Sequence, residues 1–246
     1  MFFKKKTADL PTASQMPDVV KQAKIQHIAF IMDGNGRWAT AKGLPREAGH
    51  GVGSKVFKKV VTTCRDWGIK TVTVYAFSTE NWKRPPQEVK EIMRLLDVYI
   101  KEAEEDNEKN KTRFVFIGDK ERLGEELASK CRYVEDLTKD NPITLNIALN
   151  YGGRDEIVQA VNALISEGKT AVTEEDITSR LYTAESPDPD LIVRTGGELR
   201  LSNFLLWQSQ YSELYFTDCL WPDFDEAELI KSIVEFSKRK RRYGGI

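Results

Sequence analysis

At 246 residues, the chain has room for one large α/β domain or two small ones. Hydrophobic residues make up 40% and charged residues 30%, which excludes a largely disordered chain. With 37 basic against 38 acidic side chains, no global charge favours nucleic acid or an anionic membrane as partner, so any anion site must be local.

The amino-terminal segment, residues 1–24, is predicted to be a flexible tail before one folded domain over residues 25–246. Its apolar residues precede its lysines, unlike the order in a signal peptide, and no apolar run approaches the ~20 residues that a membrane-spanning helix needs. The cysteines Cys64, Cys131 and Cys219 form no CxxC pair, which argues against a disulfide framework or a zinc site. We expect a cytoplasmic protein with at most peripheral membrane contact.

Short apolar runs rich in Val, Ile and Phe alternate along the chain with segments of helical spacing, such as residues 56–67 and 89–100. Strand and helix alternation favours a parallel sheet, because parallel neighbours need long crossover connections. The sequence therefore predicts a single α/β domain with a central, mainly parallel six-stranded sheet flanked by helices. The predicted strands are residues 27–32, 71–77, 113–117, 143–149, 191–193 and 213–216.

Polar, glycine-rich segments follow four of the predicted strands. Ligands of open α/β sheets bind beyond the carboxyl ends of the strands, so these segments are expected to meet at one rim. Glycines let successive N–H groups face an anion, and arginine offers a planar fork to phosphate oxygens. The pattern predicts a phosphorylated ligand. The segments are residues 33–37, 78–81, 150–154 and 194–198.

Asp33 lies where a carboxylate could hold magnesium, which proteins usually bind by one or two carboxylates plus the substrate's phosphates. A turn or helix-cap aspartate is the ordinary alternative. The arginines in or near the rim segments favour the first interpretation, since they offer more positive charge than one monophosphate requires and would suit two diphosphates, although some of them could be solvated surface residues. These arginines are Arg37, Arg46, Arg84, Arg194 and Arg200.

Three other side chains near the predicted rim have both a binding and a structural interpretation. His50 opens a helix and could donate to phosphate, but a lone histidine is more often structural. Trp38 and Trp82 follow the polar segments and could exclude water or meet an apolar tail, although core packing is equally compatible. Residues 204–207 are expected in the core.

Several common motifs are absent from the sequence. It has no P-loop, no dinucleotide-binding glycine turn, no nucleophile elbow, and with two histidines no histidine metal cluster. Anion-binding loops do not define a reaction, so a phosphohydrolase or phosphotransferase stays open from the residues alone.

Six segments in order closely resemble the cis-prenyltransferases, especially bacterial undecaprenyl diphosphate synthases. The resemblance covers nearly the whole chain beyond residue 24, and the aspartate-rich DDxxD motif of the trans-type enzymes is absent. The segments are residues 27–38, 75–82, 150–154, 194–198, 200–204 and 221–224.

This resemblance implies an isoprenyl transferase that adds isopentenyl diphosphate repeatedly, in cis, to an allylic diphosphate such as farnesyl diphosphate. The implied product is a long polyprenyl diphosphate, with undecaprenyl diphosphate, a lipid-carrier precursor of cell-wall synthesis, as the expected length. It also implies a Mg²⁺-dependent homodimer with an apolar tunnel, working in the cytoplasm at the inner face of the membrane. An inert partner subunit of the same fold is the non-enzymatic alternative, which the presence of the motif residues disfavours.

The resemblance also assigns roles to individual residues. Asp33 and Asn81 are the catalytic candidates, and Asp33 and Glu213 the metal ligands. Glu213 on its own would read as a strand-edge residue. The mobile segment 78–84 joins the two substrate sites, and Arg242 to Gly244 complete the partner's site. The allylic site is assigned Gly34, Asn35, Gly36, Arg37, Trp38, Arg46 and His50, the joining segment Ser78, Thr79, Glu80, Trp82 and Arg84, and the isopentenyl site Arg194, Arg200, Leu201 and Ser202.

One position departs from the family pattern. The usual Arg-Thr-Ser-Gly-Glu reads Arg-Thr-Gly-Gly-Glu here, with Gly196 in place of serine. A hydroxyl is lost while the backbone N–H remains, so we expect a modest effect on diphosphate binding.

Overall fold

A six-stranded sheet forms the centre of the molecule. The computed structural model describes residues 10–105 and 111–239, and within them all paired strands run parallel in the order β3-β4-β2-β1-β5-β6. The predicted α/β fold with a six-stranded parallel sheet is confirmed. The strands are β1 (His27–Ile31), β2 (Thr71–Ser78), β3 (Thr112–Ile117), β4 (Ile143–Tyr151), β5 (Leu191–Arg194) and β6 (Glu213–Phe216).

Helices cover the sheet and connect consecutive strands from β1 to β5, whereas turns lead from β5 to β6. Short 3-10 turns at Ala13–Gln15, Thr79–Lys83, Lys120–Leu123 and Trp221–Asp223 supplement them. The helices of the described residues are α1 (Met16–Ala23), α2 (Asn35–Ala41), α3 (Ala48–Asp66), α4 (Pro86–Glu105), α5 (Glu125–Thr138), α6 (Gly153–Ser166), α7 (Glu174–Thr178) and α8 (Glu226–Ser237).

The sheet separates a large core from a small one. In β1, whose five residues are all buried, Ile28 and Phe30 enter the large core, while Ala29 and Ile31 enter the small one, as the alternation of side chains along a strand requires. The large core holds apolar residues of α1, α3, α4, α5 and α8. The small core includes Phe204 and Leu205, which confirms the predicted burial of that segment's first half.

The predicted flexible tail over residues 1–24 is wrong for its second half. Residues 13–23 form a 3-10 turn and helix α1, which contacts α8. Met16 is 0% and Val20 3% exposed, because their i, i+4 spacing puts both on the face toward the large core. Residues 1–9 and the predicted partner-completing residues Arg242 to Gly244 lie outside the described residues. Within those residues, no helix is both long enough and apolar enough to cross a membrane.

Candidate active site

Asp33, Ser78 and Arg194 lie at one rim of the sheet. Strand β1 pairs with β2 on one side and β5 on the other, and Ile31 is in register with both Tyr75 and Arg194. The chain beyond β1 therefore enters a crevice between the ends of its two neighbours. The predicted meeting of the rim segments follows from this topology.

The Asp33 carboxylate lies between two arginines. Its Oδ1 is 3.1 Å from Arg37 Nη2 and its Oδ2 is 3.1 Å from Arg194 Nη2. The Asp33 carbonyl accepts hydrogen bonds from Thr195 Oγ1 at 2.7 Å and from the Trp221 backbone N–H at 3.0 Å. Both main chain and side chain are thus fixed, while 32% of the side chain stays exposed to the crevice.

Arg194 is a nearly buried cation, with 5% of its side chain exposed. Its Nη1 donates to Ser202 Oγ at 2.8 Å and to the carbonyl of Arg200. Its buried Nε finds no acceptor among the described residues. Burying a charge is costly unless it is paired, so the Asp33 contact and an incoming anion are both favourable for this side chain.

Two arginines and a histidine surround Glu88, in the first turn of α4. Glu88 Oε1 accepts from His50 Nε2 at 3.1 Å and from Arg84 Nη1 at 3.0 Å, and Oε2 accepts from Arg46 Nε at 3.3 Å. The Glu88 side chain is 3% exposed. Burial opposes its ionisation, but the hydrogen bond from His50 and the charges of Arg84 and Arg46 hold the pKa of Glu88 below its usual value. Burial in turn lowers the pKa of His50, against the pull of Glu88.

Helices α2 and α3 approach closely at two glycines of α3. A Cβ added at Gly49 would lie 2.0 Å from the Asn35 carbonyl oxygen, and one at Gly53 would lie 2.1 Å from Asn35 Oδ1. Glycine is therefore required for α3 to support the first turn of α2, which carries Gly36 and Arg37. The first-turn N–H groups of a helix have no intrahelical acceptors and attract anions.

We expect Gly49→Ala to lower both the thermal unfolding midpoint and any activity of the site, since the clash is with backbone that cannot rotate away. Gly51→Ala in the same helix is the matched control, because its Cβ would meet nothing within 4 Å. That control should be stabilised by about 1 kcal/mol from helix propensity alone. Equal midpoints and activities for the two variants would contradict the packing argument.

The turn after β2, Thr79–Lys83, is held at both ends. Asn81 Oδ1 accepts from the Ser78 N–H at 3.1 Å, and the Asn81 carbonyl accepts from the Arg84 N–H at 3.0 Å. Trp82 packs edge-on against Phe77 with ring centroids 4.9 Å apart, and its Nε1 donates to Asn150 Oδ1 at 2.7 Å. Trp82 therefore anchors the turn to the core.

The polar rim opens into a cavity of about 640 Å³ between the sheet, α3 and α4. Its inner wall is apolar and includes Phe57, Leu96 and Tyr99, with Val74 and Leu149 from the sheet. Phe57 and Tyr99 meet edge to face, with centroids 4.8 Å apart. One cavity thus joins a cationic mouth to an apolar interior, a combination that suits an amphipathic ligand with an anionic head.

Most predicted site residues line this cavity. Six of the candidates do not: Trp38 donates Nε1 to Asp223 Oδ1 at 2.7 Å, Arg200 pairs with Glu198 at 2.5 Å, and the other four, Thr79, Trp82, Leu201 and Glu213, are not among the lining residues. The lining candidates are Asp33, Gly34, Asn35, Gly36, Arg37, Arg46, His50, Ser78, Glu80, Asn81, Arg84, Arg194 and Ser202.

Glu213 does not meet Asp33 within one chain. It begins β6 and pairs with Leu191, the first residue of β5, whereas Asp33 follows the carboxyl end of β1. The two residues are therefore separated by at least about 10 Å along the strands. Glu213 Oε2 instead accepts from Arg239 Nη1 at 2.7 Å. The predicted sharing of one metal by Asp33 and Glu213 is not compatible with the fold of a single chain.

Two further contributors were not predicted from the sequence, Glu88 and Asn203, and both line the cavity. Glu88 has the pattern of an ordinary first-turn helix glutamate, so the sequence holds no signal for its three partners, two arginines and a histidine. Asn203 lies inside the resembling segment 200–204, which is the signal that could have identified it.

Comparisons with known proteins identify close relatives of the chain. The family model described as "Putative undecaprenyl diphosphate synthase" matches residues 31–244. An isoprenyl transferase of Fusobacterium nucleatum subsp. nucleatum is 53% identical over 222 residues, covering 90% of this chain and 96% of the relative.

Two solved structures are similar over nearly their full length. Lavandulyl diphosphate synthase from Lavandula x intermedia, in complex with dimethylallyl diphosphate, has a TM-score of 0.85 at 34% identity and covers 91% of this chain and 99% of that one. A probable undecaprenyl diphosphate synthase from Campylobacter jejuni has a TM-score of 0.76 at 38% identity, covering 89% and 98%.

Proposed function

Because the chain belongs to the undecaprenyl diphosphate synthase family of isoprenyl transferases, we propose that it condenses isopentenyl diphosphate with farnesyl diphosphate or a similar allylic diphosphate. The observation that carries this proposal is a cavity that joins a cationic mouth to an apolar interior. The proposed product is a long polyprenyl diphosphate, and undecaprenyl is the expected chain length.

The mouth offers two groups of diphosphate ligands. The first turn of α2, with Arg37, Arg46 and His50, suits the allylic diphosphate, since its N–H groups and cations face the cavity. Arg194 and Ser202 are joined by a 2.8 Å hydrogen bond and suit the isopentenyl diphosphate. Asp33 lies between the groups and contacts an arginine of each.

Magnesium fits this mouth as a metal that arrives with substrate. No group of three or more acidic, cysteine or histidine side chains that could hold a metal exists within residues 10–105 and 111–239. One or two carboxylates together with the substrate's phosphate oxygens are nevertheless the usual magnesium ligands, and Asp33 supplies one partly exposed carboxylate. Asp33 would hold the ion, which when bound would neutralise charge on the departing diphosphate. Glu213 would contribute only from a second subunit, as the proposed homodimer allows.

The chain's own residues favour ionisation of the allylic substrate. Arg37 and Arg46 stabilise the charge that develops on the leaving allylic diphosphate, and the apolar wall shields the cation-like carbon from water. The isopentenyl double bond then attacks that carbon, and a proton leaves. Asn81 already accepts a hydrogen bond from Ser78 and an amide is a poor base, so it orients substrate. The proton acceptor is a diphosphate oxygen or Asp33.

The test is product analysis with purified protein, farnesyl diphosphate, labelled isopentenyl diphosphate and Mg²⁺. We expect the label in long apolar products, and chromatographic sizing gives their length. Release of phosphate without chain growth would identify a phosphohydrolase instead. Complete inactivity of the protein alone would identify a subunit that depends on a different partner. The site of action, the cytoplasm at the inner face of the membrane, stays a prediction.

A further inference from the structure

The segment Ser202–Asn203–Phe204–Leu205 has an unusual backbone. Ser202, Asn203 and Leu205 have φ angles of 50°, 65° and 44°. Left-handed conformations cost energy for residues other than glycine, most of all for one as bulky as leucine, and persist only where surrounding contacts impose them. Ser202 at the start of this segment is the residue that Arg194 contacts in the mouth.

The main-chain carbonyl and the side-chain oxygen of Asn203 make contacts that hold this backbone conformation. Its carbonyl accepts from the Gly153 N–H at 2.7 Å, and its Oδ1 accepts from the Arg154 N–H at 2.9 Å. Both donors belong to the first turn of α6, whose N–H groups lack intrahelical acceptors. The segment is therefore attached to the loop that follows β4.

The remaining side-chain group of Asn203 points to a third loop. Its Nδ2 donates to Glu80 Oε1 at 3.2 Å, across 123 residues of sequence. Glu80 belongs to the turn that also carries Asn81. The approach is close: a Cβ added at Gly152 would lie 2.6 Å from Asn203 Nδ2 and 3.0 Å from Thr79 Oγ1. Glycine at 152 thus lets the loops after β2, β4 and β5 meet at one side chain.

We propose that Asn203 is a positioning residue that joins the turn Thr79–Lys83 to the Arg194–Ser202 side of the mouth. The inference rests on the proposed function. The amide sets the separation between Asn81 and the group that binds isopentenyl diphosphate, and it does so with donor and acceptor in one planar side chain. A carboxylate or an aliphatic residue cannot serve both neighbours.

The variant that isolates this contact is Asn203→Asp. Its Oδ1 still accepts from the Arg154 N–H, and its negative charge is favourable near the N-terminus of α6. Its second oxygen, however, replaces the donor to Glu80 and places two carboxylates in contact. We expect kcat/KM for isopentenyl diphosphate to fall about tenfold, as for the loss of a hydrogen bond to a charged group. Binding of the allylic diphosphate should change far less.

Reversing the hydrogen bond tests the pair directly. In Glu80→Gln with Asn203→Asp, the amide of Gln donates to the new carboxylate, so amide hydrogen exchange over residues 79–83 should return to the parent's rate in the double variant. Gln210→Glu, an exposed position further along the same loop, controls for added negative charge and should behave as the parent. Amide hydrogen exchange over residues 79–83 should be faster in Asn203→Asp alone.

Parent-like kinetics and exchange in Asn203→Asp would overturn the proposal. So would kinetic losses that merely follow the folded fraction, measured by thermal unfolding, or fast exchange over residues 79–83 that persists unchanged in the double variant. The exchange measurement needs no turnover. If the parent protein elongates nothing, the proposed function fails while the contact between Asn203 and Glu80 is still tested.

Discussion

Replacing Asp33 by Asn should lower the turnover number for chain elongation about 10³-fold, the scale expected when one preorganised electrostatic group is lost from an active site. Asn keeps the shape of the side chain but not its charge. The contacts to Arg37 and Arg194, both 3.1 Å, lose their ionic character, and the proposed magnesium ligand is removed. Asp33→Ala should be at least as inactive. Steady-state kinetics at saturating Mg²⁺ provide the measurement.

Asp66→Asn is the control for this variant. Asp66 forms an exposed ion pair with Arg65 at 3.0 Å, a type of contact that contributes little, so its activity should match the parent's. Circular dichroism establishes that each variant is folded. Near-normal turnover of Asp33→Ala at saturating Mg²⁺ would contradict the role of Asp33.

Replacing Glu88 by Gln should raise KM for the allylic diphosphate roughly 10- to 100-fold and lower the free energy of unfolding by about 3 kcal/mol. The Glu88 side chain is 3% exposed, and its carboxylate accepts hydrogen bonds from Arg46, His50 and Arg84. Gln offers one oxygen without charge, so Arg46 and Arg84 repel each other and lose their orientation toward the mouth. Substrate kinetics and denaturant unfolding measure the two effects.

Glu91→Gln is the matched variant, less than one turn along α4. Glu91 pairs with Arg94 at 2.7 Å on the helix surface, where such pairs stabilise by only a few tenths of a kcal/mol. Its kinetics should not change. If Glu88→Gln also left KM for the allylic diphosphate unchanged, the contacts around Glu88 would have no influence on the site.

The sheet was predictable because β1 to β5 are largely buried and are separated by segments of helical spacing, whereas β6 is only partly buried and follows β5 without an intervening helix. The predicted strand ends were wrong where polar residues continue a strand. Strand β4 extends to Tyr151, beyond the predicted end at residue 149, because Asn150 is buried: its Oδ1 accepts a hydrogen bond from Trp82 and its Nδ2 donates one to the Asp119 carbonyl. Helix α1 was missed because only Met16 and Val20 of its eight residues are buried. Its stability comes from packing on α8, which sequence alone does not reveal.

The candidate site was predictable to the extent that it depends on strand ends. Asp33, Ser78 and Arg194 each end or follow a strand, and parallel topology brings such residues together. Glu213 begins a strand and so lies at the opposite rim of its own chain, and its role as a metal ligand stays a prediction that only a second subunit could fulfil. Glu88 reaches His50 and Arg46 across 38 and 42 residues, and pairings of that range depend on how α3 and α4 pack.

The shape of the cavity indicates that Asp33 and its arginines take part in a reaction and do not only bind an anion. The apolar wall of Phe57, Leu96 and Tyr99 continues directly from the polar mouth. A hydrolase of small phosphorylated substrates has no use for such an interior, whereas a growing isoprenoid chain would occupy it. The geometry thus supports elongation over hydrolysis.

Chain elongation is tested most directly by the mass balance of one reaction. The mixture contains the protein, farnesyl diphosphate, labelled isopentenyl diphosphate and Mg²⁺. Inorganic diphosphate and label in extractable polyprenyl product are quantified together over time. Condensation predicts one diphosphate released for each isopentenyl unit incorporated. Release of diphosphate or phosphate with no label in a longer chain would contradict the account.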